Sequence, residues 1–171
     1  MLKKFPTFFL FVFLSFSLFS CGEDESNPSS DDLTGSWALQ SMVYEGTITS
    51  VFNGEELAES PMSGEASNIS MVFNFDNGKL ISTGQMNVSV EYDDFAGVDF
   101  VYPITGAEYS GTYTRSGNSL DIKVLTSTIK AEIVTLTETE LVLNIEREYK
   151  LSGEGLVNTS NETGVMRFTK N

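Results

Sequence analysis

The chain of 171 residues contains no histidine and a single cysteine, Cys21. Without histidine, a Ser-His-Asp triad, a histidine general base and a histidine-ligated metal are all excluded. One cysteine excludes an internal disulfide and any site built from several cysteine ligands. Carboxylate-only chemistry remains open in principle, but no spacing of the acids singles out a pair. We therefore expect a protein that is not an enzyme, with no catalytic residues, no cofactor and no metal.

Basic residues are also scarce. Ten Lys and Arg stand against 24 Asp and Glu, and the formal net charge is −14. After Lys3 and Lys4 the bases occur singly, so no basic patch is formed, and the acidic surface repels nucleic acid and anionic membranes. We expect no nucleic-acid partner.

Residues 1–20 have the parts of a secretory signal peptide. Lys3 and Lys4 give a positive start, and the run from Phe5 to Phe19 carries no charge. This run is shorter than the roughly 20 apolar residues that span a bilayer, which disfavours the alternative of an uncleaved anchor.

The end of this segment, Leu18-Phe19-Ser20-Cys21, resembles a bacterial lipobox. In proteins with that motif the cysteine thiol takes a diacylglycerol, the signal is cut, and the new amino terminus is acylated with a fatty acid such as palmitate. The resemblance implies lipidation of Cys21. Two or more acyl chains give a stable anchor, so the mature protein is expected to stay on a membrane.

Residues 21–32 read as a flexible tether, because they are acidic, small and polar with nothing apolar to bury. The acids directly after Cys21 resemble the signals that send lipoproteins of the Bacteroidota to the outer face of the outer membrane. A tether without a sorting signal is the alternative. We expect a cell-envelope protein anchored to the outer membrane, and its surface exposure stays open.

Residues 33–171 form one domain with room for a sizeable core. Long helical apolar patterns are missing, and short runs of Val, Ile, Thr, Phe and Tyr alternate with turn residues. This pattern predicts an all-β fold of about 8–10 strands joined as hairpins. A single up-and-down antiparallel β-barrel is favoured because closure removes exposed edges, and a two-sheet sandwich is the alternative.

Some segments give clearer predictions than others. Asp76-Asn77-Gly78 predicts a hairpin turn, since Asn-Gly tolerates positive φ. Residues 53–66 are rich in Glu, Gly, Pro and Ser and predict a loop with one helical turn at residues 55–58. A strand is interrupted at Gly46, and residues 152–163 read as a polar loop. Residues 95–104 predict an edge strand with an apolar loop.

Four ordered motifs resemble those of lipocalin-like domains. Leu33-Thr34-Gly35-Ser36-Trp37-Ala38-Leu39 is similar to their Leu-x-Gly-x-Trp-x-Leu opening. Similar pieces follow for their Gly-x-Tyr hairpin, their Leu-Thr-x-x-x-Leu-x-Leu strand pair and their ending, at residues 111–120, 136–143 and 166–170. With the lipobox, the set resembles the lipocalin-like lipoproteins of the Bacteroidota over most of residues 33–170. Residues 53–108 match poorly.

The resemblance implies a cap at one end of the barrel. Gly35 lets the chain turn into the first strand and Trp37 plugs the closed end. Arg167, in the last strand, is expected to stack on Trp37. In fatty-acid-binding relatives an arginine near the same ending instead holds a carboxylate, which is the alternative role for Arg167.

Aromatic residues give two readings of the barrel interior. They either line an apolar ligand cavity or simply fill it, because side chains alone can fill a barrel of about eight strands. The candidate lining residues are Phe73, Phe75, Phe100, Tyr102, Tyr109 and Tyr113. Asp93, Asp94 and Asp99 favour a solvated turn over a calcium site, because the ordered Asp-x-Asp-x-Asp-Gly spacing is missing.

Two classes of function follow. The first is a membrane-anchored lipocalin-like lipoprotein that binds a small hydrophobic or amphipathic ligand in the barrel. The second is a non-enzymatic structural or protein-interaction lipoprotein with a filled core and a partner-binding segment at residues 95–104. We favour the binding protein.

Overall fold

The computed structural model describes residues 33–95, 99–125 and 127–171. The predicted signal peptide, Cys21 and the tether lie outside these residues. Within them the chain forms eleven strands and two short 3-10 turns, Asp93–Phe95 and Gly106–Tyr109. The strands are β1 (Gly35–Phe52), β2 (Glu55–Ser67), β3 (Val72–Asp76), β4 (Lys79–Thr83), β5 (Gln85–Tyr92), β6 (Asp99–Thr105), β7 (Gly111–Ser116), β8 (Ser119–Val124), β9 (Thr128–Leu136), β10 (Glu140–Gly153) and β11 (Leu156–Lys170).

Eight of these strands close into an antiparallel barrel. Neighbouring strands pair in the order β1-β3-β4-β7-β8-β9-β10-β11, and β11 pairs with β1 to complete the ring. The up-and-down barrel predicted from the sequence is therefore confirmed against the sandwich. β2, β5 and β6 extend the sheet from the second half of β1.

Two bends make this branching geometry. β3 pairs with residues 35–38 of β1, and β2 pairs with residues 43–52, so β2 and β3 act as two halves of one bent strand. β4 and β5 follow the same course beside them. Gly84, between β4 and β5, has φ +84°, and a Cβ there would lie 2.1 Å from the Ser70 carbonyl oxygen. Glycine is the residue that permits this close approach.

The second 3-10 turn covers the gap left between β4 and β7, which share only two paired positions in the described register. The Ser82 N–H donates to Ser110 Oγ over 2.9 Å, and Ser82 Oγ donates to the Tyr109 carbonyl over 3.2 Å. These bonds satisfy polar groups that a regular ladder would otherwise pair.

The core lies inside the barrel and follows from alternation along the strands. β10 buries Leu141, Leu143 and Ile145, and β8 buries Leu120 and Ile122, while Asn144 and Asp121 between them are exposed. The largest fully buried side chains are Trp37, Phe75, Phe168, Leu33, Met42, Met71, Leu80, Met86, Leu120, Leu141 and Leu143.

Three local predictions were wrong. Residues 53–66 are mostly strand β2 rather than a loop with a helical turn, residues 152–163 mostly continue β10 and β11, and β1 runs unbroken past Gly46. In each case pairing with neighbouring strands overrides weak local propensity. The two added hairpins turn at Asn53-Gly54 and Glu154-Gly155, each with positive φ at both positions. The Asn77-Gly78 turn has the same geometry, as predicted.

No helix among the described residues is long and apolar enough to cross a membrane.

Candidate functional site

One end of the barrel, here called the Trp37 end, is closed by the start of β1. Trp37 is 0% exposed, and its Nε1–H donates to the Leu33 carbonyl oxygen over 2.9 Å. Gly35 has φ +123°, which side-chain-bearing residues rarely adopt, so it turns the chain into the strand as expected. This end is therefore packed with the tryptophan ring and its hydrogen-bond partner.

The cation over the tryptophan is Lys170 and not Arg167. Lys170 Nζ lies 4.8 Å from the centroid of the Trp37 ring, within cation–π range. Trp37 pairs with Lys170 in the β1–β11 register, whereas Arg167 pairs with Ser41 and is exposed. The prediction that Arg167 caps Trp37 is therefore wrong. Lys170 takes that position, and because it is three residues further along β11, the two side chains point to opposite faces of the strand.

Four of the six candidate lining aromatics belong to the barrel's packed interior. Phe73 meets Phe168 edge-on with ring centroids 5.1 Å apart, and Phe75 meets Tyr113 at 5.2 Å. Tyr109 is buried beside Phe73, with centroids 5.6 Å apart. These rings pack against one another and do not enclose a cavity, which supports the interpretation that aromatic side chains fill the barrel interior.

The other two candidates, Phe100 and Tyr102, lie on β6 at the edge of the sheet. Their exposed fractions are 37% and 45%, and Val101 between them is exposed as well. β6 pairs with β5 along one edge, and the described residues supply no strand along its other edge. The expected edge strand is confirmed, and it lies apart from the barrel interior.

A charged pair lies on the core-facing side of the sheet, beyond the apolar core. Arg147 in β10 donates from Nε to Glu162 Oε2 in β11 over 2.9 Å, and its Nη2 donates to the same oxygen. Ser160 Oγ donates to Glu162 Oε1 over 2.6 Å. The side chains of Arg147 and Glu162 are 24% and 9% exposed. The pair is thus mostly withdrawn from water.

Two tyrosines share this environment. Burial raises the pKa of Tyr44, and the Glu162 charge raises it further. Burial is also the main cause of the raised pKa of Tyr109, whose hydroxyl donates to the Met42 sulfur over 3.6 Å. Both phenols therefore stay protonated near neutral pH and remain hydrogen-bond donors.

The arginine keeps its charge in this setting. Burial alone would lower the pKa of Arg147, but the neighbouring tyrosines and Glu162 raise it by more, and the net shift is upward. We call Arg147, Glu162, Ser160, Tyr44 and Tyr109 the polar cluster. It combines one opposite-charge pair with three hydroxyl groups.

Glycines make room for the cluster. Tyr44 pairs with Gly64 in β2 and with Gly164 in β11. A Cβ on Gly64 would lie 2.2 Å from the Tyr44 ring, and a Cβ on Gly164 would lie 2.4 Å from the Val43 carbonyl oxygen. Small residues on both sides let the tyrosine ring lie flat across the sheet.

The charged pair lies in the wall of a recess of about 970 Å³. Met62 and Gly46 also line it, as do five acids and two bases in all, counting the pair itself. An adjoining recess of about 1140 Å³ shares Glu45, Lys130 and Glu146 with it and is acidic too. None of the six aromatics predicted to line a cavity contributes to either recess.

The alternation along β10 marks one member of the cluster, Arg147, in the sequence itself. Leu141, Leu143 and Ile145 define the inward face of β10, and the same period of two continues to Arg147. A charged residue in an inward register is a marker of a site, since unpaired charges are rarely buried. Glu162 could not be identified as its partner without the β10–β11 register.

The structure does not bring Asp93, Asp94 and Asp99 together as a group of metal ligands. Asp93 and Asp94 lie exposed in a 3-10 turn, and Asp99 begins β6. Across the part of the chain that the structure describes, no three His, Cys, Asp or Glu residues are placed to hold a metal ion.

Comparison with known proteins adds a family. The lipocalin-like domain model matches residues 33–143, which is more than half of the chain. No curated protein matches the sequence. Among solved structures, the S-type phycobiliprotein lyase CPES from Guillardia theta is similar over 82% of this chain and 89% of its own, with 9% sequence identity and a TM-score of 0.31. Nothing about the function of this chain is concluded from a similarity at that TM-score.

Proposed function

The chain belongs to the lipocalin-like domain family, and from that premise we propose that it is a membrane-anchored lipoprotein that binds a small hydrophobic or amphipathic ligand. The proposal includes no catalytic step and no cofactor. The ligand site is the recess whose wall includes Arg147 and Glu162, rather than the tightly packed Trp37 end.

The observation that carries the proposal is the mostly buried pair of Arg147 and Glu162 in the recess wall. Withdrawing two charges from water is costly, and a buried ion pair is weak evidence for a role in stability. Small-molecule sites place convergent polar groups where they fix the orientation of a ligand, and the pair supplies such groups in this recess. A volume of about 970 Å³ is in the usual range for such sites.

Membrane anchoring rests on the sequence of residues 1–32. The positive start, the short apolar run and Cys21 in its lipobox-like setting support lipidation at that cysteine. Localisation at the outer membrane is part of the same proposal. The test is a Cys21→Ser variant expressed in a bacterial envelope and separated by detergent phase partitioning. We expect the wild type in the detergent phase and the variant in the aqueous phase, and equal partitioning would refute anchoring.

Ligand binding has its own test. The barrel segment, residues 31–171, is purified without detergent and mixed with a panel of long-chain alcohols, esters, sterols and fatty acids. Native mass spectrometry is expected to show one bound molecule for at least one class. An Arg147→Met/Glu162→Met double variant should lose that adduct while keeping its fold. Retention of the adduct by the double variant would place the site elsewhere.

A second candidate function is a protein-interaction lipoprotein, and the exposed apolar side chains of β6 favour it. Phe100, Val101 and Tyr102 are exposed together on an edge strand. Pro103 in the same strand lacks an N–H, which limits docking of a further strand along this edge. Replacing Phe100 and Tyr102 by Ser should abolish partner capture under this reading and leave small-ligand uptake unchanged under the first.

A further inference from the structure

We infer that the recess selects amphiphiles without an anionic head group, so that neutral long-chain alcohols or esters bind and free fatty acids are excluded. This rests on the proposed function and names the class of its ligand. An unpaired internal arginine would bind the carboxylate of a ligand. Arg147 is paired with Glu162, and we infer the opposite preference.

The charge of Arg147 is already balanced by Glu162. Both Nε and Nη2 of Arg147 donate to one carboxylate oxygen of Glu162. Two of the guanidinium donors are therefore already used in charge-assisted bonds to a protein carboxylate. A ligand carboxylate arriving at Arg147 would also lie close to the Glu162 charge and be repelled by it.

Glu162 is held in place by hydrogen bonds from both Arg147 and Ser160. Its other oxygen accepts the short bond from Ser160 Oγ, at 2.6 Å. The side chain is 9% exposed and is held on both of its oxygens. Swinging Glu162 aside to admit a second carboxylate would break all three bonds.

The residues that line the recess carry a net negative charge. The recess around the pair is lined by Glu45, Asp93, Glu146 and Glu148 in addition to Glu162, against Lys130 and Arg147. The adjoining recess is more acidic still. Both therefore carry a negative potential that opposes anions at moderate ionic strength.

Hydroxyl donors remain for a neutral head group. Tyr44, whose phenol stays protonated near neutral pH, lines the adjoining recess, and Ser63 and Thr163 line both recesses. A ligand hydroxyl or ester carbonyl can accept from such a phenol without bringing a charge into the recess.

The test compares decanol, methyl decanoate and decanoate, which share an alkyl chain and differ in head group. Isothermal titration calorimetry is run on the detergent-free barrel segment at pH 7.5 and low salt. We expect decanol and methyl decanoate to bind at least about tenfold more tightly than decanoate. Decanoate binding as tightly as the neutral ligands overturns the inference and leaves the proposed function standing. Absence of binding by all three overturns both.

A charge variant locates the selectivity. Glu162→Gln keeps the size and an acceptor oxygen while removing the charge, and it should narrow the preference for decanol over decanoate by about tenfold. Glu148→Gln removes the same charge from the exposed part of the same recess and should change the preference less than about threefold. Equal effects of the two variants would overturn the role given to Glu162. If Glu162→Gln does not fold, the wild-type ester and acid pair still decides.

Discussion

Breaking the charged pair should destabilise the barrel more than removing it. In an Arg147→Met variant, Glu162 keeps its bond from Ser160 but loses both bonds from the guanidinium. Breaking a fully buried pair costs about 3–5 kcal/mol, because the remaining charge is left uncompensated. Glu162 is 9% exposed and keeps its bond from Ser160, so we expect the low end of this range, about 3 kcal/mol. For a domain of this size that lowers Tm by about 10 °C.

The double variant Arg147→Met/Glu162→Met should recover most of this loss. It removes both charges and leaves side chains of similar volume, so its stability is expected within about 1 kcal/mol of the wild type. The double variant is therefore expected to be about 2 kcal/mol more stable than Arg147→Met alone. Urea unfolding at pH 7 measures each variant, with circular dichroism and the fluorescence of the single tryptophan as probes.

An exposed ion pair supplies the control. Lys150 Nζ and Glu148 Oε1 lie 2.9 Å apart in the same strand, β10, and both side chains are well exposed. Lys150→Met should therefore cost no more than about 0.5 kcal/mol. The reasoning would be refuted if Arg147→Met cost as little as Lys150→Met, since the Glu162 carboxylate would then be solvated in the folded protein.

Three further predictions concern the frame around the site. Gly164→Ala should lose about 1–3 kcal/mol, because its Cβ would lie 2.4 Å from a backbone carbonyl, while Gly153→Ala, with open space, should be nearly neutral in the same urea titration. Because the pKa of Tyr44 is raised in the folded protein, this tyrosine contributes stability that is fully present below about pH 10. That contribution is lost by about 1.4 kcal/mol per pH unit as the pH rises toward the folded-state pKa. Tyr44→Phe should therefore reduce the loss of unfolding free energy with pH in the alkaline range, and an unchanged pH dependence would contradict this prediction. Lys170→Ala should lower stability by about 0.5–1 kcal/mol through the tryptophan ring, and Arg167→Ala should not, as thermal melts will report.

The barrel could be predicted because its signals are local. Alternating apolar residues mark β10 and β8, and Asn77-Gly78 marks a hairpin, so pattern and turn chemistry agree with the fold. The Gly35 and Trp37 end could be predicted from the family resemblance for the same reason. Each of these features depends on residues close together in the chain.

The missed elements depend on distant pairing. β2 contains Glu-, Ser- and Gly-rich stretches that disfavour a strand, yet β1 pairs with it along ten positions. Pro61 sits where β5 has not yet joined, so β2 is an edge there and tolerates a residue without an N–H. Such placement follows from register, which the local composition does not encode.

Register also explains the errors at the site. The position of Arg167 near the end of the last strand favours it as the cation over Trp37, but the β1–β11 register pairs Trp37 with Lys170, three residues further along. In the same way, Arg147 and Glu162 meet only because β10 and β11 pair at those positions. Side-chain facing could be predicted within a strand, and partners between strands could not.

The central claim is that a neutral amphiphile binds at the buried pair of Arg147 and Glu162. The most direct test is native mass spectrometry of the detergent-free barrel segment with equimolar decanol and decanoate, for the wild type and for Arg147→Met/Glu162→Met. We predict a single decanol adduct on the wild type and none on the folded double variant. A wild type that stays free of ligand, or that takes decanoate in preference, would contradict the account.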